Sequence, residues 1–234
     1  MSRLQAYLLC VVLGILPAGI VISQPAVPRA DVLDKLRRGG YVIVLHHGAT
    51  NSDAANTDPM SNPNRKTSVE RQLNEQGREQ AESIGKALRD LGIPVSSVMT
   101  SPLQRAIDTG TLLGFGEVRK YPDLAEAGSA VSPVENKRRA EALRELVGWH
   151  LAADGNLVIV THKPNLVEAF GKDWSDVREG EASVFEPNYA GEGYMLIARI
   201  RVNEWGRLVK ALQDLPEQES CGFGSRQAFF PNYD

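Results

Sequence analysis

The feature that most restricts the fold is a pair of short apolar runs, each of which leads into histidine. Residues 41–45 (YVIVL) lead into His46-His47-Gly48, and residues 156–160 (NLVIV) lead through a threonine into His162. Such runs are too short for buried helices and, because they are rich in β-branched residues, they predict strands buried on both faces of a parallel sheet. Ligands of open α/β sheets bind beyond the carboxyl ends of the strands, so the histidines mark the predicted site.

The size and charge of the chain limit its organisation and its partners. With 234 residues, 42% hydrophobic and 24% charged, it is long enough for one large core and short for two. We therefore predict one domain over residues 27–215, followed by a C-terminal tail over residues 216–234. The formal charge of −3 and the pI near 5.9 argue against a nucleic-acid partner, because nucleic-acid binding requires a clustered basic face.

The N-terminal residues 1–26 have the layout of a secretory signal peptide. Arg3 precedes an apolar run over residues 8–22, and small or polar residues follow at Ser23 and Ala26. This order predicts cleavage after Ser23 or near Ala26 and a periplasmic or secreted protein. The alternative is an uncleaved membrane anchor, since the run approaches the ~20 residues that span a bilayer. A proline and a glycine interrupt the run, which favours cleavage.

Hydrophobic periodicity and turn residues predict the other elements. Helices are expected over residues 31–38, from Asn74 as N-cap to about Leu91, over 133–153 and over 165–170. Strands are expected over residues 95–99, 117–121, 182–186 and 194–202, the last two as an antiparallel pair. Between Thr50 and Gln72 a polar stretch without periodicity predicts a long loop, either a substrate lid or a mobile insertion.

Arg105 follows the end of the predicted strand 95–99. Ser101 is expected to cap a helix that has Pro102 in its first turn, which places Arg105 about one turn into that helix. There its guanidinium would lie near exposed helix N–H groups that attract an anion. A surface ion pair is the alternative for this arginine.

The ordered motifs resemble those of the histidine phosphatase superfamily, in its phosphoglycerate-mutase-like branch, from about Val42 to about Phe170. The family's Arg-His-Gly corresponds to His46-His47-Gly48, its Ser-Pro-x-x-Arg-Ala to residues 101–106, and its Leu-x-Glu to residues 124–126. The resemblance implies a three-layer α/β/α sandwich around a mostly parallel sheet. It also implies that the substrate is a small phosphate monoester and that inorganic phosphate is released.

The resemblance further implies a role for each matched residue. His47 would be the nucleophile that carries the phosphoryl group, and Glu126 would be the proton donor, with Asp123 as its competitor. His162 would act beside them as a catalytic and phosphate-binding residue. The expected phosphate-binding residues are His46, Thr50, Arg105 and His162. No metal or organic cofactor is expected, and the sequence has no metal-type Cys/His spacing.

His46 is the departure from the family pattern, because it stands where the family has arginine. Histidine is shorter than arginine, titrates near ~6.5 when unperturbed and offers one donor per nitrogen. His46 would help most as a cation while His47 must be neutral, which predicts an activity optimum on the acid side of neutrality. The main competing hypothesis is a pseudophosphatase that binds a phosphorylated or anionic ligand. Two further hypotheses are a mutase and an anchored interaction protein.

Overall fold

The structure is a computed structural model that describes residues 30–51, 70–148, 154–188 and 193–214. The predicted signal peptide, most of the loop after Thr50, the end of the predicted helix 133–153 and the C-terminal tail lie outside the described residues. None of the helices within the described ranges is long and apolar enough to cross a membrane.

Six helices and six strands make up the described part of the chain, together with two single-turn 3₁₀ helices. The helices are α1 (Ala30–Arg38), α2 (Glu75–Asp90), α3 (Gln104–Leu112), α4 (Pro133–Gly148), α5 (Lys163–Phe170) and α6 (Val202–Gln213). The strands are β1 (Val42–His46), β2 (Val95–Thr100), β3 (Val118–Lys120), β4 (Asn156–Thr161), β5 (Ala182–Asn188) and β6 (Gly193–Ile200). The 3₁₀ helices are Pro122–Leu124 and Lys172–Trp174.

The strands form one mostly parallel sheet in the order β3-β2-β4-β1-β5-β6. The first four strands are parallel, whereas β5 is antiparallel to β1 and β6 is antiparallel to β5. The predicted mostly parallel sheet is confirmed, as is the antiparallel pair.

Strand β1 is buried on both faces because helices cover both sides of the sheet. Its residues Ile43 and Leu45 pack in one hydrophobic cluster, which also contains side chains of α1, α2 and α6. Its residues Val42 and Val44 pack in a second cluster with side chains of α4 and α5. Successive side chains of a strand point to opposite faces, so a continuous apolar run supplies both cores and the three layers are confirmed.

The register of the sheet brings the ends of three strands level. His46 pairs with Thr161 between β1 and β4, and Thr100 of β2 pairs with Val160 of β4. The residues that follow these positions therefore lie at the same edge of the sheet. They include His47, Ser101 and His162. This alignment gathers residues that are far apart along the chain.

Two glycines let α2 approach the turn that carries His47. A Cβ atom added to Gly48 would lie 2.5 Å from the Gly77 carbonyl oxygen, and one added to Gly77 would overlap the backbone of Ala49. Asn74 caps α2 as predicted, since its side chain accepts a hydrogen bond of 2.8 Å from the Gly77 N–H. The start of α2 is thus held against the turn after β1.

The predicted start of α3 is wrong, and α6 was not predicted. Helix α3 begins at Gln104 without a side-chain cap, because the Ser101 hydroxyl is bound by His162 and by the Leu103 N–H. Arg105 therefore lies in the first turn. Helix α6 follows β6 directly, and its Trp205 and Leu208 are buried in the core.

Candidate active site

His47 lies just beyond the end of β1, 1% exposed, with both ring nitrogens engaged. Its Nδ1 lies 2.8 Å from the Gly48 carbonyl oxygen, which can only accept, so Nδ1 carries the proton. Its Nε2 accepts a hydrogen bond of 3.2 Å from Arg105 Nε. Nε2 therefore holds the lone pair that a nucleophilic imidazole needs.

The three histidines lie together at this edge of the sheet. The ring centroids of His46 and His47 are 4.5 Å apart, and those of His47 and His162 are 5.2 Å apart. Burial lowers the pKa of His47 and of His162 well below the usual value, and the positive charge of Arg105 lowers both further. Both rings are therefore neutral near pH 7.

His46 is also neutral near pH 7, so the fold does not hold it in the cationic form that would help most in binding phosphate. Burial is the main cause that lowers its pKa to about 4, and a hydrogen bond to the Arg178 backbone opposes that shift. The positive charges of Lys163, Arg71 and Arg105 lower the same pKa further. His46 can therefore offer at most one hydrogen-bond donor, and a positive charge for phosphate must come from another residue.

Arg105 is a buried member of the site and not part of a surface ion pair. Its side chain is fully buried, and one terminal nitrogen (Nη2) lies 2.8 Å from Glu126 Oε2. The hydroxyl of Thr109 donates to the Arg105 carbonyl and accepts a hydrogen bond of 3.0 Å from the Gly48 N–H. The first turns of α3 are thereby joined to the turn that carries His47.

Glu126 reaches the site from the loop after β3 and contacts two guanidinium groups. Besides its contact with Arg105, its Oε1 lies 3.4 Å from Arg71 Nη2. Asn165 holds the loop in place through hydrogen bonds to the Ala127 N–H and the Ala125 carbonyl, at 3.0 and 2.9 Å. The position of the carboxylate is thus set by residues of α5 as well as by its own loop.

The competing carboxylate, Asp123, lies outside the site. It pairs with Arg138 of α4 at 2.7 Å, and half of the Arg138 side chain is exposed. Exposed ion pairs of this kind contribute little to stability. Glu126 is therefore the acidic residue that the fold brings to the histidines.

His162 is fully buried and contacts Ser101 at the edge of the sheet. Its Nε2 lies 2.7 Å from the Ser101 hydroxyl, which already accepts a hydrogen bond from the Leu103 N–H. A hydroxyl can accept two hydrogen bonds and donate one, so this contact is compatible with a proton on either ring nitrogen of His162. The Nδ1 of His162 is buried and has no hydrogen-bond partner among the described residues. With the ring proton on Nδ1, this nitrogen can donate a hydrogen bond to an oxyanion.

Thr50 is hydrogen-bonded to Glu179. Its N–H and its hydroxyl both donate to Glu179 Oε1, at 3.2 and 2.9 Å. A role for Thr50 in phosphate binding stays a prediction, and the adjacent carboxylate disfavours a bound anion there.

Sequence reasoning missed Arg71, Ser101, Thr109 and Asn165 as parts of the site. Arg71 precedes the N-cap of α2. Nothing in the local sequence distinguishes it from other arginines, such as Arg78 in α2. The other three act through hydrogen bonds to residues far away in the sequence. The described residues contain no cluster of side chains that could hold a metal ion.

We expect the free energy of unfolding to fall as the pH drops below about 6.5. In the unfolded chain His46 binds a proton near ~6.5, whereas in the fold its pKa is about 4, so the unfolded state binds more protons between these values. His46 alone should remove roughly 2 kcal/mol of stability between pH 7.5 and 5. His47 and His162 act in the same direction. Urea unfolding at pH 7.5, 6 and 5 measures this, and a flat or opposite trend would contradict it.

The fold and the site define an α/β protein of the histidine phosphatase class. At one edge of the sheet lie a histidine whose Nε2 holds a lone pair, a buried arginine, a second histidine and a carboxylate, which is the set of residues expected of this class. The sequence profile of the histidine phosphatase superfamily (branch 1) matches residues 42–179, which is more than half of the chain. The chain belongs to this family.

Solved structures of similar fold include several phosphatases. The protein histidine phosphatase SixA complexed with tungstate has a TM-score of 0.50 at 16% identity, over 70% of this chain and 97% of that chain. Phosphoserine phosphatase from Entamoeba histolytica, in complex with 3-phosphoglyceric acid, has a TM-score of 0.50 at 14% identity, over 70% and 98%. Because these identities are low, the likeness shows the shared fold.

A relative in sequence is an uncharacterised protein of Picosynechococcus sp. The two are 31% identical over 112 residues, which are 44% of this chain and 62% of that relative. The chain thus matches less than two thirds of the relative's length.

Proposed function

We propose that this protein is an exported phosphatase that hydrolyses small phosphate monoesters through a phosphohistidine intermediate on His47. Membership of the histidine phosphatase family supports the phosphatase class. The observation that carries the proposed mechanism is the state of His47, a neutral imidazole whose Nε2 lone pair lies 3.2 Å from Arg105 Nε. Phosphoryl transfer requires such a nucleophile next to positive groups and a proton donor.

In the proposed first step, His47 Nε2 attacks phosphorus, the N–P bond forms and the bond to the ester oxygen breaks. Glu126 transfers its proton to that departing oxygen. In the second step, Glu126 takes a proton from water, whose oxygen attacks phosphorus, and the N–P bond breaks to release inorganic phosphate. Arg105 and the Nδ1–H of His162 donate hydrogen bonds to the phosphoryl oxygens, whose negative charge they stabilise.

The gathered residues require no cofactor for these steps. Small phosphorylated compounds are the proposed substrates, and inorganic phosphate is the proposed product. The ligands of the similar structures, tungstate and 3-phosphoglyceric acid, are those proteins' own ligands and support an oxyanion as the shared chemistry. Export rests on the N-terminal pattern over residues 1–26, and N-terminal sequencing of the processed protein would test it.

The alternative is a pseudophosphatase, and the neutral state of His46 is the observation that favours it. The charge that arginine provides in the family is not replaced by His46 itself. Such a protein would bind the phosphorylated ligand without turnover.

We expect the wild-type protein to hydrolyse p-nitrophenyl phosphate and to do so at least as well at pH 5 as at pH 8. Since the pKa of His47 is well below its usual value, the nucleophile stays neutral into the acid range. Initial rates measured from pH 5 to 8, beside a His46→Arg variant, test both points. Turnover that appears only in His46→Arg would select the pseudophosphatase, and a rate that rises from pH 5 to 8 would contradict the acid-side optimum.

A further inference from the structure

The end of β1 contributes no positive charge to the site, and a residue from another part of the chain can supply that charge. His46 is neutral, so β1 brings no cation to the phosphoryl group. Phosphate monoesters near neutral pH carry almost two negative charges, and phosphoryl transfer spreads charge over three terminal oxygens. A second guanidinium next to Arg105 would match this charge.

Arg71 brings a second guanidinium to the site from the segment that precedes α2. Its side chain is 17% exposed, and its Nη2 lies 3.4 Å from Glu126 Oε1. Arg105 contacts the other oxygen of the same carboxylate at 2.8 Å. The two guanidinium groups are therefore separated by the width of one carboxylate, a spacing that two oxygens of a phosphoryl group can also bridge.

Arg71 also has a donor that the fold leaves without a partner. Its Nε is buried and makes no hydrogen bond within the ranges that the structure describes. A buried guanidinium N–H without an acceptor is unfavourable, because its hydration is lost and nothing replaces it. An incoming oxyanion would supply the acceptor.

The positive charge of Arg71 affects all three histidines of the site. It lowers the pKa of His46, His47 and His162 and so favours the neutral form of each ring. Coulombic effects of this kind require proximity in a poorly solvated region. Arg71 is thus within electrostatic reach of the proposed nucleophile and of the position where the family has arginine.

We propose that Arg71 binds the phosphoryl group together with Arg105, in place of the arginine that His46 replaces. This inference rests on the proposed function and names the residue that compensates for the altered motif. The bound phosphoryl dianion takes the place of the Glu126 carboxylate on both guanidinium groups.

The test combines binding of inorganic phosphate with turnover in four variants. They are Arg71→Met, Arg71→Lys, His46→Arg and the double variant Arg71→Met/His46→Arg, with Arg78→Met on the exposed face of α2 as the matched control. Isothermal titration calorimetry gives the Kd for inorganic phosphate, and p-nitrophenyl phosphate gives kcat/KM. Thermal unfolding without phosphate checks that each variant is folded.

We expect Arg71→Met to weaken phosphate binding about 10–100-fold, the usual effect of losing a charge-assisted contact. Arg71→Lys should lie between this variant and the wild type, because lysine keeps the charge and loses the planar fork. In the Arg71→Met background, adding His46→Arg should lower the Kd for phosphate at least tenfold. In the wild-type background, the same substitution should change the Kd by a smaller factor. Arg78→Met should stay within twofold of the wild type.

The outcomes separate this inference from the proposed function. If the wild type turns over substrate and Arg71→Met binds phosphate within twofold of it, the inference fails and the proposed function stands. If the wild type binds phosphate without turnover, the proposed function fails while the binding series still decides the role of Arg71. A double variant no better than Arg71→Met would overturn the compensation, and a wild type that binds no phosphate would overturn both.

Discussion

Replacing His47 by alanine should reduce the turnover of p-nitrophenyl phosphate by at least ~10³-fold, the scale of effect seen when a covalent nucleophile is removed. The ring supplies the Nε2 lone pair that is aligned by the Gly48 carbonyl and faces Arg105. In the proposed mechanism the neighbouring His162 cannot replace it, because His162 Nε2 is bound to Ser101 and its Nδ1 carries the proton that it donates. Initial rates of the wild type and the variant under saturating substrate measure the loss.

A second variant separates lost chemistry from lost structure. His47→Asn keeps a polar side chain that can donate to the Gly48 carbonyl, yet it has no nucleophilic ring nitrogen. Both variants should therefore lose turnover, while His47→Asn keeps more of the stability. Trapping of labelled phosphate on the wild type and on neither variant would identify the intermediate. Turnover within tenfold of the wild type in either variant would exclude His47 as the nucleophile.

Replacing Arg105 by methionine should lower kcat/KM by roughly 10²–10³-fold, as for the loss of a preorganised donor that stabilises developing negative charge. Its guanidinium is fully buried, donates to His47 Nε2 and pairs with Glu126. Methionine has a similar length, so the loss of charge and donors dominates over the loss of packing. Steady-state kinetics on p-nitrophenyl phosphate, resolved into kcat and KM, measure the effect.

The matched control for this prediction is Arg105→Lys, which keeps the positive charge and removes the planar guanidinium group. We expect it to recover part of the loss, since an ammonium group cannot donate to His47 and to Glu126 in the same planar arrangement. Urea unfolding at pH 7.5 reports whether either variant is destabilised. If Arg105→Met retained kcat/KM within threefold of the wild type, the proposed phosphate-binding role of Arg105 would be wrong.

Because the site buries three histidines, both the stability of the fold and the activity should depend on pH. Three imidazoles are buried in neutral form next to guanidinium groups, so protons bind to them less readily than in the unfolded chain. The same burial keeps His47 available as a nucleophile in acid. A protein that works on the acid side of neutrality would therefore work where its folded state is less stable than at pH 7.5.

Much of the sheet could be predicted because its signals are local. Residues 42–45 are all apolar and mostly β-branched, and no other regular element buries so short a run on both faces. Asn74 likewise marked the start of α2 through its own side chain. Helix α6 was missed although Trp205 and Leu208 are buried, since its residues follow a strand without a break.

The sequence by itself determined the α/β class, the two strands that lead into histidine, and His47, Arg105 and His162 as site residues, while Glu126 followed from the resemblance to the family. Those features depend on local apolar patterns and on motif order. Only the tertiary structure decided that Glu126 and not Asp123 reaches the site, that His46 is neutral, and that Arg71 lies opposite Arg105. Burial, protonation and ion pairing depend on elements that are distant in the chain, and they exist only once those elements are packed together.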